Sequence, residues 1–377
     1  MFPTVQINSL NMQAGETKEI ERCGLFVGVI TAKENQNKLL SITPDSDLDK
    51  LLGSQESELK KQLKTAMLNA GQNWLAYALP TAEEGYDFKK SVLYANEIAS
   101  FEFVVNTVTK DLDKQKINDL QSLYAELLAK YGRRTFFIQA VNGINSDRER
   151  GEDWATYIAT LTELQKTVVA DHVMLTPLLF GNEAGVIAGR LSNKAVTVAD
   201  SPARVKTGAV LNLGKAEKPT DKNGIVLDIS HLKSLETARY SVPMWYPDYD
   251  GYYWSDGRML DAEGGDFQTV ENVRVVDKVA RRVRLLAIAK IADRSFNSTL
   301  SSTEYHKNYF AKPLREMAKS AEIGGIVFPG ECMPPTEDSI AIQWQSKTKV
   351  MVYIKVRPYD CPKDITVNIF LDLETLG

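Results

Sequence analysis

The sequence has no stretch near the ~18 consecutive apolar residues that a membrane span needs, so no membrane insertion is expected. Its opening, Met1-Phe-Pro-Thr-Val-Gln-Ile-Asn8, carries neither a basic nor an apolar region. That argues against a secretory signal and for folding in a cytoplasm. Cysteine is scarce: Cys23, Cys332 and Cys361 lie far apart and match no zinc spacing, which excludes a disulfide framework and points to buried or half-buried thiols. There is no basic surplus, because 45 Lys and Arg face 49 Asp and Glu for a net charge of −4. The electrostatic footprint of a nucleic-acid binder is therefore missing.

Chemistry is equally hard to find. No glycine-rich turn is followed by Lys and Ser or Thr at phosphate-loop spacing, since Gly214-Lys215 runs into Ala216. The only histidines are His172, His231 and His306, each beside an expected strand or helix end, and no Gly-x-Ser-x-Gly elbow exists. Asp248-Tyr-Asp-Gly-Tyr-Tyr-Trp-Ser-Asp-Gly257 begins like a calcium loop, but its glycine comes at the fourth position and Met259 stands where the closing Glu belongs. No catalytic residue, metal site or cofactor is expected.

What the chain does contain is alternation. After a polar segment at 1–20, an apolar run at 23–30 has the character of a strand buried on both faces. Helical spacing at 58–70, 85–97, 110–131 and 153–170 then alternates with strand-like runs at 74–79, 101–105, 135–141 and 173–179. This unit predicts an α/β sheet with helical crossovers. Turn formers crowd 201–224, where a linker is placed. Beyond it a strand is expected at 225–229, a short helix at 231–238, an aromatic loop at 240–265 and a helix at 273–293. A further helix at 313–321 is expected to stop at Gly324-Gly325.

The helix at 273–293 is read with Val273, Val276, Ala280, Val283, Ala287 and Ile291 inward, and with Arg274, Lys278, Arg281 and Arg282 mostly outward. Seven positive charges against two negative ones between 274 and 294 are notable in an acidic chain. They suit either an ordinary solvated helix face or docking onto an acidic protein.

The clearest pattern lies near the C-terminus. Val350, Val352, Ile354 and Val356 share one face of a strand, and after a Pro-flanked turn Ile365, Val367, Ile369, Leu371 and Leu373 share one face of another. Nothing follows the second strand to cover its edge, and open edges template pairing with other chains. A weaker alternation, Val5 and Ile7, sits near the N-terminus.

The order of elements from residue 180 onward resembles the contractile tail sheath proteins. The resemblance rests on Gly181-Asn-Glu-Ala-Gly-Val-Ile-Ala-Gly-Arg190 before Ser201-Pro-Ala, and on Tyr253-Trp-Ser-Asp-Gly-Arg-Met-Leu260 before the Arg-rich helix. Tyr309-Phe-Ala-Lys-Pro-Leu-Arg315, Gly324-Gly-Ile-Val327 and the two terminal strands complete it. It covers about the last half of the chain and the N-terminal arm.

It implies two α/β domains with extended arms: an N-terminal arm at 1–22, an outer domain at 23–200, the linker at 201–224, an inner domain at 225–360 and a C-terminal arm at 361–377. Thr4, Val5, Gln6 and Ile7, with Ile365, Val367, Ile369, Leu371 and Leu373, would leave the subunit as strands. Val350, Val352, Ile354 and Val356 would form the acceptor sheet. Lys278, Arg281, Arg282, Lys312, Arg315 and Lys319 would face a tail tube. The partners implied are further copies in hexameric discs and a helical polymer, the tube protein, and baseplate and tail terminator proteins. The setting would be a virion tail or phage-tail-like particle assembled in a bacterial cytoplasm. The competing readings are an α/β enzyme with a site near Gly143, Thr176 or Asp228, and an accessory protein that donates strands to one partner.

Overall fold

The computed structural model describes residues 20–369. The chain runs through β1 (Gly24–Val29), β2 (Leu40–Ile42), α1 (Leu48–Leu52), α2 (Glu58–Ala70), β3 (Ala76–Thr81), α3 (Phe88–Ile98), β4 (Phe103–Asn106), α4 (Lys114–Tyr131), β5 (Phe136–Val141), α5 (Trp154–Gln165) and β6 (Val173–Pro177). Local chemistry sets these boundaries. Ser57, Asp87, Asp113 and Asp153 each accept a first-turn N–H as helix N-caps. Gly132 closes α4 in the left-handed conformation, where its amide reaches the carbonyls of Leu127 and Leu128.

The strands form one sheet in the order β2-β3-β1-β4-β5-β6, parallel except for β2, which runs antiparallel along β3. Counting only parallel strands, the order is second, first, third, fourth, fifth, a doubly wound arrangement whose switch point lies between β1 and β4. The sheet interior is apolar on both faces: Leu25, Phe26, Val27, Val104, Val105, Phe137 and Ile138 are all fully buried.

Helix α6 (Glu183–Ser192) is buried at every position. It crosses α2 so closely that a Cβ at Gly185 or Gly189 would collide with the carbonyl oxygens of Gln62 or Ala66. Only glycine permits that approach. Burial pushes the Glu183 carboxyl up to about 8. Its oxygens accept the backbone N–H groups of Phe180 and Gly181.

The remainder comprises α7 (Ile229–Thr237), the hairpin β7 (Pro243–Tyr246) and β8 (Tyr249–Trp254), α8 (Val270–Ile288), α9 (Leu300–Phe310), α10 (Lys312–Met317), the hairpin β9 (Ala321–Ile323) and β10 (Ile326–Phe328), and the hairpin β11 (Ile340–Ser346) and β12 (Lys349–Ile354). Several expectations change here. The strand expected at 225–229 does not form, because Asp228 and His231 make a reciprocal capping box that starts α7 at Ile229. Gly324 and Gly325 do not stop a helix, since α10 has already ended at Met317. Both have positive φ and make the two-residue turn between β9 and β10.

Two apolar clusters organise the packing. The first takes in the sheet, α6, Val210 and Leu213 from the segment expected as a linker, and continues through Trp254 and Leu260 to Val273. The second joins Val275, Val279, Phe310, Leu314, Met317, Cys332 and Ile340. Helix α8 therefore lies across both. Its inward face differs from the expected one: Val273 is buried, Val276, Ala280 and Val283 are half-buried, and Ala287 and Ile291 are exposed. A helix covered on two sides along its first half has no single apolar stripe, and its last turns project into solvent.

Cys332 is buried and Cys23 half-buried, and burial pushes their thiols up to about 11 and about 12. Cys361, expected to be covered, is exposed.

Candidate functional site: an open hairpin and two anchored arms

The strand expected at 350–356 forms as β12, and it pairs antiparallel with β11, with Ile340 opposite Ile354, Ile342 opposite Val352 and Trp344 opposite Val350. These six side chains share one face. Ile340 belongs to the second cluster, and Ile342, Val352 and Ile354 pack against it. Val356 packs there too, although it lies beyond the end of β12. Ala341, Gln343 and Tyr353 point the other way and are exposed.

Among the described residues this sheet has only two strands. Each strand thus has one edge that the sheet itself leaves unpaired. Three or more strands are the usual condition for a stable small sheet, so the hairpin is well suited to accept another.

Residues 364–369 enter no strand of their own chain. Ile365, Val367 and Ile369 are 71%, 73% and 90% exposed, so their shared apolar face covers nothing among the described residues. Leu371 and Leu373, like Thr4, Val5, Gln6 and Ile7, lie outside the described residues.

Where the arms begin, however, the chain is firmly held. Lys363 Nζ lies 2.7 Å from Oδ1 of Asp256 and 2.7 Å from Oε1 of Glu271, both largely buried carboxylates. Burial raises the Glu271 carboxyl above its usual range even though Lys363 opposes the shift. At the other end, Glu21 Oε1 accepts from Arg281 Nη2 at 2.8 Å and Nε at 3.1 Å.

The basic helix face is the main correction to the expected site. Arg274 is buried and donates from Nε and Nη2 to the two oxygens of Glu102, at 2.7 and 3.0 Å, and to the Leu191 carbonyl at 2.9 Å. Lys278 is buried and reaches both oxygens of Glu331, at 2.8 and 2.7 Å. Arg281 is committed to Glu21 and Arg282 is half-buried. Lys278 and Arg281 are thus internal ties rather than part of an outward cationic face. The sequence could not show this, because their partners sit 53 and 260 positions away. Asp277 belongs to the same set of ties, 3.1 Å from Arg134 and 3.4 Å from His172. By contrast Lys312, Arg315 and Lys319 are exposed, with Lys312 only 3.9 Å from Glu316 and Arg315 bonded to the Asn308 carbonyl.

A cleft of about 1080 Å³ lies at the sheet's switch point, lined in part by Val29, Tyr86, Asn106, Thr107, Lys110 and Gln139. Its polar floor is spent on itself. Tyr86 Oη donates to Asn106 Oδ1 (2.7 Å), Asn106 Nδ2 to Gln139 Oε1 (2.7 Å), and Gln139 Nε2 to the Val108 carbonyl (2.9 Å). No histidine or cysteine lines it. Thr176 is fully buried and Asp228 is a helix cap, so neither is poised for chemistry. Among the described residues no group of His, Cys, Asp or Glu could hold a metal, and no helix is long and apolar enough to cross a membrane.

The chain matches the family models "DUF2586, N-terminal domain" over residues 2–258 and "DUF2586, C-terminal domain" over residues 266–374. It is 70% identical over 377 residues, covering all of both chains, to the "Putative tail sheath protein" of Haemophilus phage HP1 (strain HP1c1). The chain belongs to the tail sheath protein family.

Solved structures of similar fold agree. The sheath of the extracellular contractile injection system PVC, in its contracted state, aligns with a TM-score of 0.62 at 14% identity over 99% of this chain and 98% of that one. The contracted helical sheath of the anti-feeding prophage aligns at 0.59 and 13% identity, over 98% and 99%. A chain of that particle's baseplate aligns at 0.61 and 12%, over 99% of both. The mixed α/β fold of this sheath-family chain is therefore the fold of contractile sheath proteins. The two family segments meet just before α8, the helix that spans both apolar clusters.

Proposed function

We propose that this chain is the repeating subunit of a contractile sheath, stacked as hexameric discs around a tail tube, which shortens to drive the tube through a target cell envelope. The observation that carries the reading is a two-stranded sheet with open edges in a chain whose own alternating arm, Ile365 to Ile369, is exposed and unpaired. Strand addition satisfies both: β11–β12 of one subunit accepts the arms of its neighbours, main-chain hydrogen bonds make the link, and alternate side chains set the register. Donor and acceptor differ, so the contact is heterologous and propagates into a polymer.

In this reading shortening is a change of packing between subunits threaded by their arms, and two packings of one lattice supply the difference in free energy. No bond chemistry is required of the chain. Further partners are the tube protein and the baseplate and terminator proteins at the two ends, within a virion tail or tail-like particle assembled in a bacterial cytoplasm.

Negative-stain microscopy of the purified protein is expected to show tubes with a central channel. A preparation that stays monomeric at high concentration over a range of salt and pH rejects the proposal.

Lys312, Arg315 and Lys319, which unlike Lys278 and Arg281 are exposed, are the cations this reading assigns to the tube. Reversing all three to Glu is expected to leave the melting temperature unchanged and to slow capture on pre-formed tubes by ~10-fold at low salt, with the difference fading as salt screens the charges. Equal capture rates at every salt concentration remove these residues from the interface. Lys278→Glu is expected to fail earlier, at folding, because it sets a second carboxylate against half-buried Glu331.

A further inference from the structure

We infer that Lys363 and Glu21 are positioning residues for strand exchange: their ion pairs fix both arms to one helix, α8, so that the two outgoing strands leave the subunit at a set separation. This rests on the strand-exchange reading and adds to it where the arms begin and what holds them there.

The two ties are built differently. At the C-terminal arm a single ammonium, Lys363, serves two carboxylates, Asp256 at the end of the β7–β8 region and Glu271 in the first turn of α8. Asp256 and Glu271 are each more than nine-tenths buried; Lys363 sits against Oε1 of Glu271, and Oε2 of the same carboxylate has no hydrogen-bond partner among the described residues. Two buried carboxylates side by side repel each other when ionised, and a cation seated against both relieves that cost. Lys363 therefore has a strong reason to stay, while Asp364 and the residues after it are exposed and have no such reason. The free arm begins at residue 364. Pro358 and Pro362, between β12 and the tie, narrow the paths by which Lys363 can reach its seat.

At the N-terminal arm Glu21 binds Arg281, and the neighbouring backbone N–H of Arg22 donates to Glu102, the same carboxylate that Arg274 holds. Glu271 and Arg281 are ten positions apart on α8, about 15 Å along a helix axis. The same helix is tied to the sheet through Arg274–Glu102 and to the second cluster through Lys278–Glu331. Tension on either arm consequently enters α8 and passes from it into both halves of the subunit.

The C-terminal tie can be tested on the intact chain with trypsin, which must take the Lys363 side chain into its own acidic pocket and cannot do so while Asp256 and Glu271 hold it. Cleavage after Lys363 in the unassembled subunit is expected to be slow in the wild type and at least tenfold faster in the Asp256→Asn/Glu271→Gln double variant. Cleavage after exposed Lys355 serves as the internal control and should not change. Tube nucleation by the double variant is expected to slow by a similar factor. Lys363→Met should nucleate as poorly, and Lys363→Arg should restore it.

Equal cleavage after Lys363 in wild type and double variant overturns the tie. Faster cleavage with wild-type nucleation overturns the positioning role. Wild-type subunits that never form tubes sink the strand-exchange reading, and the cleavage comparison then still decides whether the tie exists. If the double variant melts far below the wild type, tube nucleation by Lys363→Arg against Lys363→Met, in which both carboxylates are retained, decides the positioning role, and equal nucleation by the two overturns it.

Discussion

Removing residues 365–377 is expected to yield a subunit that folds, stays soluble and never forms tubes. Ile365, Val367 and Ile369 are exposed and cover nothing among the described residues, so deleting them removes little packing from that part of the subunit. The change in its stability should stay within the ~0.5 kcal/mol typical of surface positions. Assembly is a different matter. If those three side chains become buried in a neighbour at about 1.5 kcal/mol each, they contribute about 4.5 kcal/mol, or roughly 10³-fold in association at 1.4 kcal/mol per decade. Strand hydrogen bonds add to that. Sedimentation velocity and thermal melting of the truncated chain, with microscopy, measure both halves of the expectation. Tubes of normal length from the truncation would reject the arm as donor.

Arg274→Ala should have the opposite profile, damaging the subunit before assembly is reached. The side chains of Arg274 and Glu102 are 2% and 1% exposed, and the pair joins α8 to the start of β4. Losing the guanidinium strands a carboxylate in the interior, and breaking a buried pair from one side costs about 3–5 kcal/mol. It also deprives the Leu191 carbonyl of a donor. Denaturant unfolding should show that loss. Adding Glu102→Gln should recover much of it, because the buried charge is then gone. A single variant within about 1 kcal/mol of wild type would mean that Glu102 reaches water when Arg274 is absent.

The sequence revealed what local chemistry decides. The helix at 58–70 has the bounds its apolar spacing predicts, and all five parallel strands lie where the apolar runs placed them. Strand order was not legible, since β1 pairing with both β3 and β4 depends on how crossovers pack. The outward reading of Lys278 and Arg281 failed for a related reason. A cation at a half-buried position looks solvated until its distant carboxylate is known, and Glu331 and Glu21 are brought near only by the fold. Gly324-Gly325 misled because paired glycines suit a helix stop as well as a hairpin turn, and only the flanking strands decide. The arm at 365–373 carries a strand pattern, yet its described part, 365–369, enters no strand and pairs with none of the described residues. Pattern favours a strand; it does not supply the partner.

If the chain builds the proposed sheath, the seam between α2 and α6 bears on how that sheath would change length. Two helices that meet backbone to backbone at Gly185 and Gly189, one of them buried at all ten of its positions, leave no slack to be squeezed out. A unit packed that tightly behaves as a stiff bar of low compressibility. Bars of this kind cannot act as springs. A wall assembled from them would change shape as a linkage does, with the bars keeping their form and the displacement taken up at the pivots between them.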